Sequence, residues 1–525
     1  MRLFPMNASQ ARARLVQGGA ALAGAALIAR CGSAYRPVVT PITPSGPQPQ
    51  PPSYAVVVSA PSVITPGIAT IIDYAGDSVL AQAPIGPGPI TFSIDESGSN
   101  GYTVNSDGTL SNFPITSNLQ AKNVLYSTLP STAQPVNLFT PSIGLFAADL
   151  TGNVTDVFSG SPQAFKLAID VSQTPVTIMG QGTGGQRLFS INQGNVASGT
   201  ACNTSPTTAP LGSVSGIELT TDTVSSTIPV GKCPVFAVES SDNRRLFVLN
   251  RGDDTISVIN ASDNTPDTCT PYQNQSGQWV TCHATLPLSL TAVNALNAAK
   301  LGSGNPPNGT NGMTNVAGPV YAEYIPATNQ LVIADYDGGT ISLIDVSQDV
   351  YGNDSNTYAN PTCTVGGVTS YANCGAVTGG FGTTYTIAVG NNPASVTALA
   401  DGSRAYTANQ ADQTVSIVTL SSHTVEKTVA VTGHPRTVVS TQNSEQGKVY
   451  VASPDTPYLM IVRTDLDIVD TTVLVEGNIV DVRVSSQNAG PGNANAVSRT
   501  PGYGQPCYLP GATYETSLAV CRTLP

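Results

Sequence analysis

The chain has 525 residues, well beyond the roughly 100 to 200 residues usual for one domain, so several domains or one repeat array are expected. Charged residues make up only 10% of the chain, and the formal net charge is -12 at pH 7. The few Lys and Arg residues are scattered, so the basic surface that a nucleic acid partner requires is missing from the sequence. The 50 Gly and 40 Pro residues predict many turns.

Residues 1–33 have the features of an export signal. Arg12 and Arg14 provide a positive start, and the apolar stretch 15–29 that follows is short for a membrane span. This segment is therefore set aside from the folded body.

The string LIARCGS around Cys31 resembles the lipoprotein box of bacterial lipoproteins, in which the cysteine is acylated after cleavage. The resemblance implies a lipid anchor on Cys31. Arg30 departs from the small residue usual before that cysteine, which leaves plain signal cleavage or a retained anchor as alternatives. In each case the sequence predicts an exported protein, in the bacterial periplasm or at the cell surface. The lipid or retained anchor attaches it to the membrane only through this segment, and plain cleavage leaves it unattached.

Residues 34–53 contain seven prolines and are predicted to form an extended linker of polyproline II character. The body that follows, residues 54–486, lacks any long segment with helical periodicity. Short runs of Val, Ile, Thr, Tyr and Phe alternate there with Gly, Asn, Asp and Pro. The sequence therefore predicts an all-β body.

Cysteine usage supports export independently. Apart from Cys31 there are eight cysteines, and their positions suggest four local disulfides: Cys202 with Cys233, Cys269 with Cys282, Cys363 with Cys374, and Cys507 with Cys521. An even count fits an oxidising compartment. The tight thiol or histidine clusters of a zinc site are not found, so no metal is predicted.

A repeat emerges when segments are aligned on prolines that open a strand. From Pro234, Pro319 and Pro393, a second apolar run begins twelve residues later and a threonine follows nine residues after that. Weaker copies begin at Pro89, Pro135, Pro175 and Pro435. Each unit has room for four short strands in about 40 residues, which is typical of a β-propeller blade.

The strings LFVLN at 246–250 and AYTAN at 405–409, each followed by a Thr-x-Ser strand, resemble YVTN-type β-propeller repeats. This resemblance covers roughly residues 60–485 and implies a propeller strongly but a function only weakly.

Ring closure is also predicted. Residues 70–73 and 78–81 match the third and fourth strands of a unit, and residues 478–484 match a first strand, so the two ends of the body share one blade. Seven full units and one shared blade give eight blades, while the related family mostly closes with seven. The tail 487–525 is expected to be a disulfide-containing cap.

Two motifs have simpler explanations than function. The string GQGTGG at 180–185 matches a dinucleotide fingerprint, but a strand rather than a helix follows it. The string RGD at 251–253 occupies a turn between two strands of a blade. Asp253, Asp337 and Asp412 share that turn position and are expected to bond local backbone amides.

Three functional hypotheses remain. With three histidines and one tryptophan, the chain lacks the residues of haem, copper or quinone propellers, so no cofactor is predicted. No catalytic string is present, and no residue is assigned a catalytic role. Glu239, Glu323 and Arg436 lie on or beside first strands and are candidate channel residues. The first hypothesis is a module that binds a protein or glycan, the second is a lactonase-like hydrolase that uses the channel, and the third is a structural role.

Overall fold

In the computed structural model the described residues are 54–141, 144–150, 152–180, 187–196, 202, 208–268, 272–273, 279–280, 282–301, 317–348, 357–358, 363–365, 368–370, 380–441 and 447–485. The signal, the linker and the cap lie outside this set. The predictions for Cys31, Cys507 and Cys521 therefore stay predictions.

The body is a β-propeller of eight four-stranded antiparallel blades, as the repeat predicts. Blade 1 consists of strands Pro89–Ile94, Asn100–Asn105, Thr109–Pro114 and Leu125–Thr128. Blade 2 consists of Pro135–Phe139, Leu145–Asp149, Val154–Ser159 and Ala164–Asp170. Blade 3 consists of Pro175–Gly180, Arg187–Asn192, Leu211–Glu218 and Thr223–Lys232. Blade 4 consists of Pro234–Glu239, Arg245–Asn250, Thr255–Asn260 and an outer strand in two pieces, Thr265–Pro266 and Thr285–Pro287.

The other four blades follow the same order. Blade 5 consists of Pro319–Ile325, Gln330–Asp335, Thr340–Asp345 and Thr384–Ala388. Blade 6 consists of Pro393–Ala398, Arg404–Asn409, Thr414–Thr419 and Thr424–Ala430. Blade 7 consists of Thr437–Ser440, Lys448–Ala452, Tyr458–Arg463 and Ile468–Leu474. Blade 8 consists of Asn478–Val484, Tyr54–Ala60, Pro66–Asp73 and Val79–Pro87.

Blade 8 closes the ring. Its innermost strand, 478–484, comes from the end of the body and pairs antiparallel with strand 54–60 from the start. The innermost strands of all eight blades contact one another in sequence, and strand 478–484 touches strand 89–94 to complete the circle. The prediction of a shared closing blade is confirmed, and of the two blade counts left open, eight is correct.

Each inner strand crosses the ring in the same direction, which defines two sides. The proline side is where the chain enters an inner strand, for example at Pro234. The turn side is where the first and second strands of a blade are joined, for example at residues 240–244. Proline suits the first position of a strand because it has no N–H to donate.

One hydrogen-bond pattern recurs inside the blades. The Asn250 amide at the end of the second strand donates to Thr255 Oγ1 at 3.1 Å and to Ser257 Oγ at 2.9 Å on the third strand. The Asn409 amide and the Asn105 amide each bond two hydroxyls at the same positions of blades 6 and 1. The Asn and Thr-x-Ser positions of the repeat thus form a buried hydrogen-bonded cluster, here called the clasp, that joins the second strand of a blade to the third.

Two blades replace this clasp with carboxyl groups. In blade 5 the asparagine position holds Asp335, which accepts from Thr340 Oγ1 and Ser342 Oγ. In blade 2 both partners are acidic, and burial together with Asp149 raises the pKa of Asp156 to about 7. A carboxyl buried in this way favours its protonated form.

The turn aspartates bond backbone amides, although not those of their own turn. Asp253 Oδ2 accepts from Lys232 N at 3.1 Å, and Asp412 Oδ2 accepts from Asn391 N at 2.7 Å. Lys232 ends the outer strand of blade 3 and Asn391 lies in the connector before blade 6, so each donor lies just before the chain enters the blade of its aspartate. The aspartate therefore fixes the entry of the chain into its blade.

The core lies between blades, because each blade buries both faces against its neighbours. The largest apolar cluster runs from Phe139 of blade 2 through Phe247 and Val332 to Leu420 of blade 6. A 3-10 turn at Ala121–Asn123 and an α-helix at Leu290–Leu301, in the connector to blade 5, add to the strands. Within the described ranges, no helix is long and apolar enough to cross a membrane.

Insertions leave blades 4 and 5 on the turn side. They contain the short strands Tyr272–Gln273, Trp279–Val280, Thr357–Tyr358, Cys363–Val365 and Val368–Ser370. Backbone pairing joins Trp279 to Tyr358 and Val280 to Thr357, so an insertion of blade 4 and one of blade 5 share a sheet. Two neighbouring blades are thereby bridged on that side.

Candidate functional site

The ends of the inner strands on the turn side surround the mouth of the central channel. Glu239 is the last residue of the inner strand of blade 4, and Glu323 lies near the end of that of blade 5. Arg436 immediately precedes the inner strand of blade 7 and therefore lies towards the proline side. A six-residue strand is about 20 Å long. The structure thus brings the two predicted acids to one mouth and places the predicted arginine towards the opposite end.

Polar side chains join the inner strands around the channel. Asn137 Oδ1 accepts from Ile178 N at 2.9 Å, which links blades 2 and 3. Thr177 Oγ1 donates to Val235 O at 3.0 Å, which links blades 3 and 4. Similar bonds connect blades 1 and 2, 5 and 6, and 6 and 7. The Ser, Thr and Asn residues of these strands therefore have a structural role.

Glu323 belongs to the same network. Its Oε2 accepts from Ala398 N at 3.0 Å and from Thr397 Oγ1 at 3.2 Å, both on the next inner strand. These bonds fix blade 5 to blade 6. The structure therefore gives this predicted channel residue a clear contribution to the ring.

Glu239 differs from its neighbour. Its side chain is 1% exposed, and among the described residues neither carboxyl oxygen has a hydrogen-bond partner. Burial raises the pKa of Glu239 to about 8, with further contributions from Asp242 and Glu96. A buried carboxyl without partners costs free energy that the fold does not recover locally. Such groups concentrate at functional sites.

Sequence reasoning missed a buried ion pair on the closing strand. Arg483 Nε donates to Asp481 Oδ2 at 2.9 Å, and Asp481 Oδ1 accepts from Thr437 Oγ1 at 2.8 Å. Both side chains are buried. The alternation of Asp and Arg along a strand already recognised as innermost was a usable signal, because residues two apart share one face.

The insertions pack onto the body through buried contacts on the turn side. Arg245 Nε donates to Asp267 Oδ2 at 2.7 Å, and its guanidinium lies 5.5 Å from the centre of the Phe381 ring. The His283 ring stacks on the same phenylalanine at 5.7 Å. Phe381 belongs to the insertion of blade 5, whereas the other three residues belong to blade 4. The turn side around these blades is therefore an elaborated surface next to the channel mouth.

The RGD string is part of the structural framework. Arg251 is 4% exposed, and its guanidinium forms a bidentate ion pair with Asp337 of blade 5 at 2.9 and 2.8 Å. An arginine held this way cannot be presented to a receptor. Asp337 thus departs from the other turn aspartates, because its partner is a side chain of the preceding blade rather than a connector amide.

One predicted disulfide is confirmed. Cys202 and Cys233 are bonded, with Cα atoms 5.9 Å apart, and they join a loop of blade 3 to the connector before blade 4. Cys282 is disulfide-bonded as well. Its predicted partner Cys269 lies outside the described residues. The same holds for Cys374, so the predicted bond to Cys363 stays a prediction.

The described part of the chain contains no group of three or more His, Cys, Asp or Glu side chains placed to hold a metal ion. The other two histidines lie at the edges of blades. His423 stacks on Tyr385, and His434 Nδ1 contacts Asp455 Oδ2 at 2.5 Å. What the mouth offers chemically is a set of carboxyl groups, one of them buried without a partner.

Comparison with known proteins supports the fold. No family model matches the chain, and no curated relative matches it, so the YVTN resemblance stays a prediction. Among solved structures, AztD of Citrobacter koseri superposes with a TM-score of 0.50 at 10% identity, over 83% of this chain and 98% of that one. A Bacteroides fragilis protein described as a candidate 6-phosphogluconolactonase gives 0.45 at 14% identity, over 84% and 99%. The dihydro-heme d1 dehydrogenase NirN gives 0.48 at 12% identity, over 83% and 76%. At 10% identity the likeness to AztD supports the fold alone and leaves the activity to be argued from the site.

Proposed function

We propose that the chain is an exported, envelope-attached β-propeller that binds a protein or glycan partner through its turn side. Export is supported by the disulfide between Cys202 and Cys233, because such bonds persist in oxidising compartments. Attachment rests on the lipoprotein box at Cys31. A rigid ring with elaborated loops on one side is a common arrangement for recognition.

The single observation that supports the turn side is the bridge between the insertions of blades 4 and 5. Backbone pairing of Trp279 with Tyr358 and the packing of Phe381 against Arg245 hold both insertions on the same surface. Ordering the two insertions costs conformational entropy. Closure of the ring does not require them, because it depends only on contacts between neighbouring blades. A shared surface beside the channel mouth explains why both are kept in place.

The test is enrichment of a partner by the full chain. The full-length protein is immobilised and exposed to solubilised envelope from the source organism and, separately, to a glycan array. A matched chain in which residues 272–280 are replaced by a short Gly-Ser linker is the control, since this removes the pairing without touching the ring. The proposal expects a saturable ligand that the control loses. Equal capture by both chains, or none by either, contradicts it.

A hydrolase that uses the channel is the second candidate, and Glu239 is the observation that favours it. A carboxyl whose pKa is raised to about 8 by burial is protonated at neutral pH and suits a general acid. The assay is turnover of a lactone by the full chain and by Glu239→Gln. Turnover that the variant loses, with its fold intact, would establish the hydrolase. Absence of turnover in the wild type removes it.

A further inference from the structure

The channel mouth on the turn side gathers acidic residues from three blades. Asp95 and Glu96 follow the inner strand of blade 1, Glu239 ends that of blade 4 with Asp242 in the turn after it, and Glu323 belongs to blade 5. Glu96 contributes to the raised pKa of Glu239, although blades 2 and 3 lie between their blades along the ring. Of these carboxyls, Glu96 and Asp242 act directly on the charge of Glu239.

The fold does not require an acid at the position of Glu239. Glu239 pairs with the residue that lies four positions before the end of the second strand of its blade. The inner-strand residues with the same pairing are Ile94 in blade 1 and Ala398 in blade 6. In blade 2 the position holds Thr140, which bonds Ser93 and Ile94 O across to the preceding blade. An apolar or hydroxyl side chain thus satisfies the ring, whereas neither oxygen of Glu239 has a hydrogen-bond partner among the described residues.

Glu239 is set among groups that are already engaged or that repel its charge. The ionisable side chains on its own turn, across the mouth and on the strands packed around it are Asp242, Arg244, Glu96, Arg187, Arg245, Tyr321, Glu323 and Tyr324. The three arginines are paired with other acids: Arg244 with Asp242, Arg187 with Glu218, and Arg245 with Asp267. Nothing of opposite charge in the described structure is therefore paired with this carboxyl.

We propose that the turn-side mouth binds an alkylammonium group, with the Glu239 carboxylate as its ion-pair partner and Glu96 as a further negative charge. This deepens, and rests on, the proposed binding function. A compact ammonium can donate to both oxygens that now lack a donor, and it offsets the repulsion from Asp242 and Glu96. The group could belong to a lysine of a protein partner or to a free polyamine, and the experiment separates these sources.

Binding must release a proton. The protonated carboxyl and the ammonium ion combine to form a carboxylate–ammonium pair, and the carboxyl proton goes to solvent. Because burial raises the pKa of Glu239 to about 8, this release occurs at neutral pH and fades well above that value. Affinity for the amine is therefore expected to rise as pH increases from about 6 to about 8, by roughly one decade per pH unit at the start.

The experiment is calorimetric titration of the full chain at neutral pH with two probes. These are spermidine and Nα-acetyl-lysine methylamide, whose side-chain ammonium is free. Each titration is run in phosphate and in Tris, whose different ionisation enthalpies report the protons released. The wild type is expected to bind at least one of the probes and to release close to one proton per bound molecule, the proton of the Glu239 carboxyl. Glu239→Gln, which copies the shape of the protonated side chain, is expected to bind at least tenfold more weakly and to release none. Glu426→Gln, an exposed change on the outer strand of blade 6, is the control and should match the wild type.

Tighter binding of the lysine derivative identifies a protein side chain as the source, and tighter binding of spermidine identifies a free polyamine. No heat with either probe, or equal binding by Glu239→Gln, overturns the proposal. The two proposals fail separately. If a partner enriched from envelope binds Glu239→Gln as well as the wild type, the ammonium site is wrong and the binding module stands. If both probes bind but neither envelope nor glycans yield a ligand, the ammonium site stands and the proposed binding module is wrong.

Discussion

Replacing Asp335 by asparagine is expected to stabilise the protein, and more so as pH rises. Asp335 occupies the position that Asn250 and Asn409 hold in blades 4 and 6, and like them it contacts a threonine and a serine on the third strand. Its side chain is fully buried, and Oδ1 has no hydrogen-bond partner. An asparagine amide would donate to the same two hydroxyls, as it does in the other blades.

The magnitude follows from the pKa. Burial is the main cause that raises the pKa of Asp335 from 3.8 to about 7. The folded state then binds more protons than the unfolded state between these values, so stability is fully present at low pH and is lost as pH rises through them. Between about pH 5 and about pH 8 this group costs about 2 to 3 kcal/mol, on the order of 2 to 3 °C in Tm for a body of this size.

The assay is differential scanning calorimetry of wild type, Asp335→Asn and the reverse change Asn409→Asp across that pH range. The advantage of Asp335→Asn over wild type should grow by the stated amount from the acidic to the alkaline end. Asn409→Asp should show the opposite trend. A Tm difference that stays constant with pH, or a loss of stability in Asp335→Asn at the alkaline end, would refute the reasoning.

Three further predictions concern other parts of the molecule. Arg251→Met should lower the free energy of unfolding by about 3 to 5 kcal/mol in denaturant titrations, and adding Asp337→Leu should recover most of it, because the cost is an unpaired buried charge; a loss under 1 kcal/mol would be inconsistent with the ion pair. Replacing Cys202 and Cys233 together by serine should cost about 3 to 4 kcal/mol, since the bond closes a loop of 31 residues; an unchanged denaturation midpoint would argue against it. Cys31→Ser should remove an acyl mass that intact-mass spectrometry detects on the wild-type chain, and a wild-type chain without that mass would disprove lipidation.

The propeller could be predicted because its information is local and repeated. The spacing from Pro234 to its second strand and on to Thr255 recurs in the units from Pro319 and Pro393, and each spacing corresponds to one hairpin of a blade. The closing blade followed from the same pattern, because strands without a full unit remained at both ends. Hydrophobic alternation and turn residues act within a dozen residues, which is the range over which sequence patterns are informative.

The site could be predicted only in part. Glu239 and Glu323 were identified by their place on first strands, where they occupy neighbouring registers and so point to opposite faces of their strands. Glu323 is bonded because the inner strand of the next blade, blade 6, donates Ala398 N to it. Glu239 receives no such bond from the described residues. The pairing of Arg251 with Asp337 likewise joins residues 86 apart. The strand pairing between the insertions of blades 4 and 5 lies in segments whose sequence has no hydrophobic periodicity. Their composition predicts loops and gives no information on which residues pair.

The most direct test of binding through the turn side is site-specific photo-cross-linking in cells of the source organism. Asp401 and Ala411 are both exposed residues of blade 6, and they lie in turns on opposite sides of the ring. A photoreactive amino acid replaces each in turn, with the rest of the chain unchanged. Cross-linked product from position 401 and none from position 411 is the predicted result. Product from position 411 alone would contradict the account.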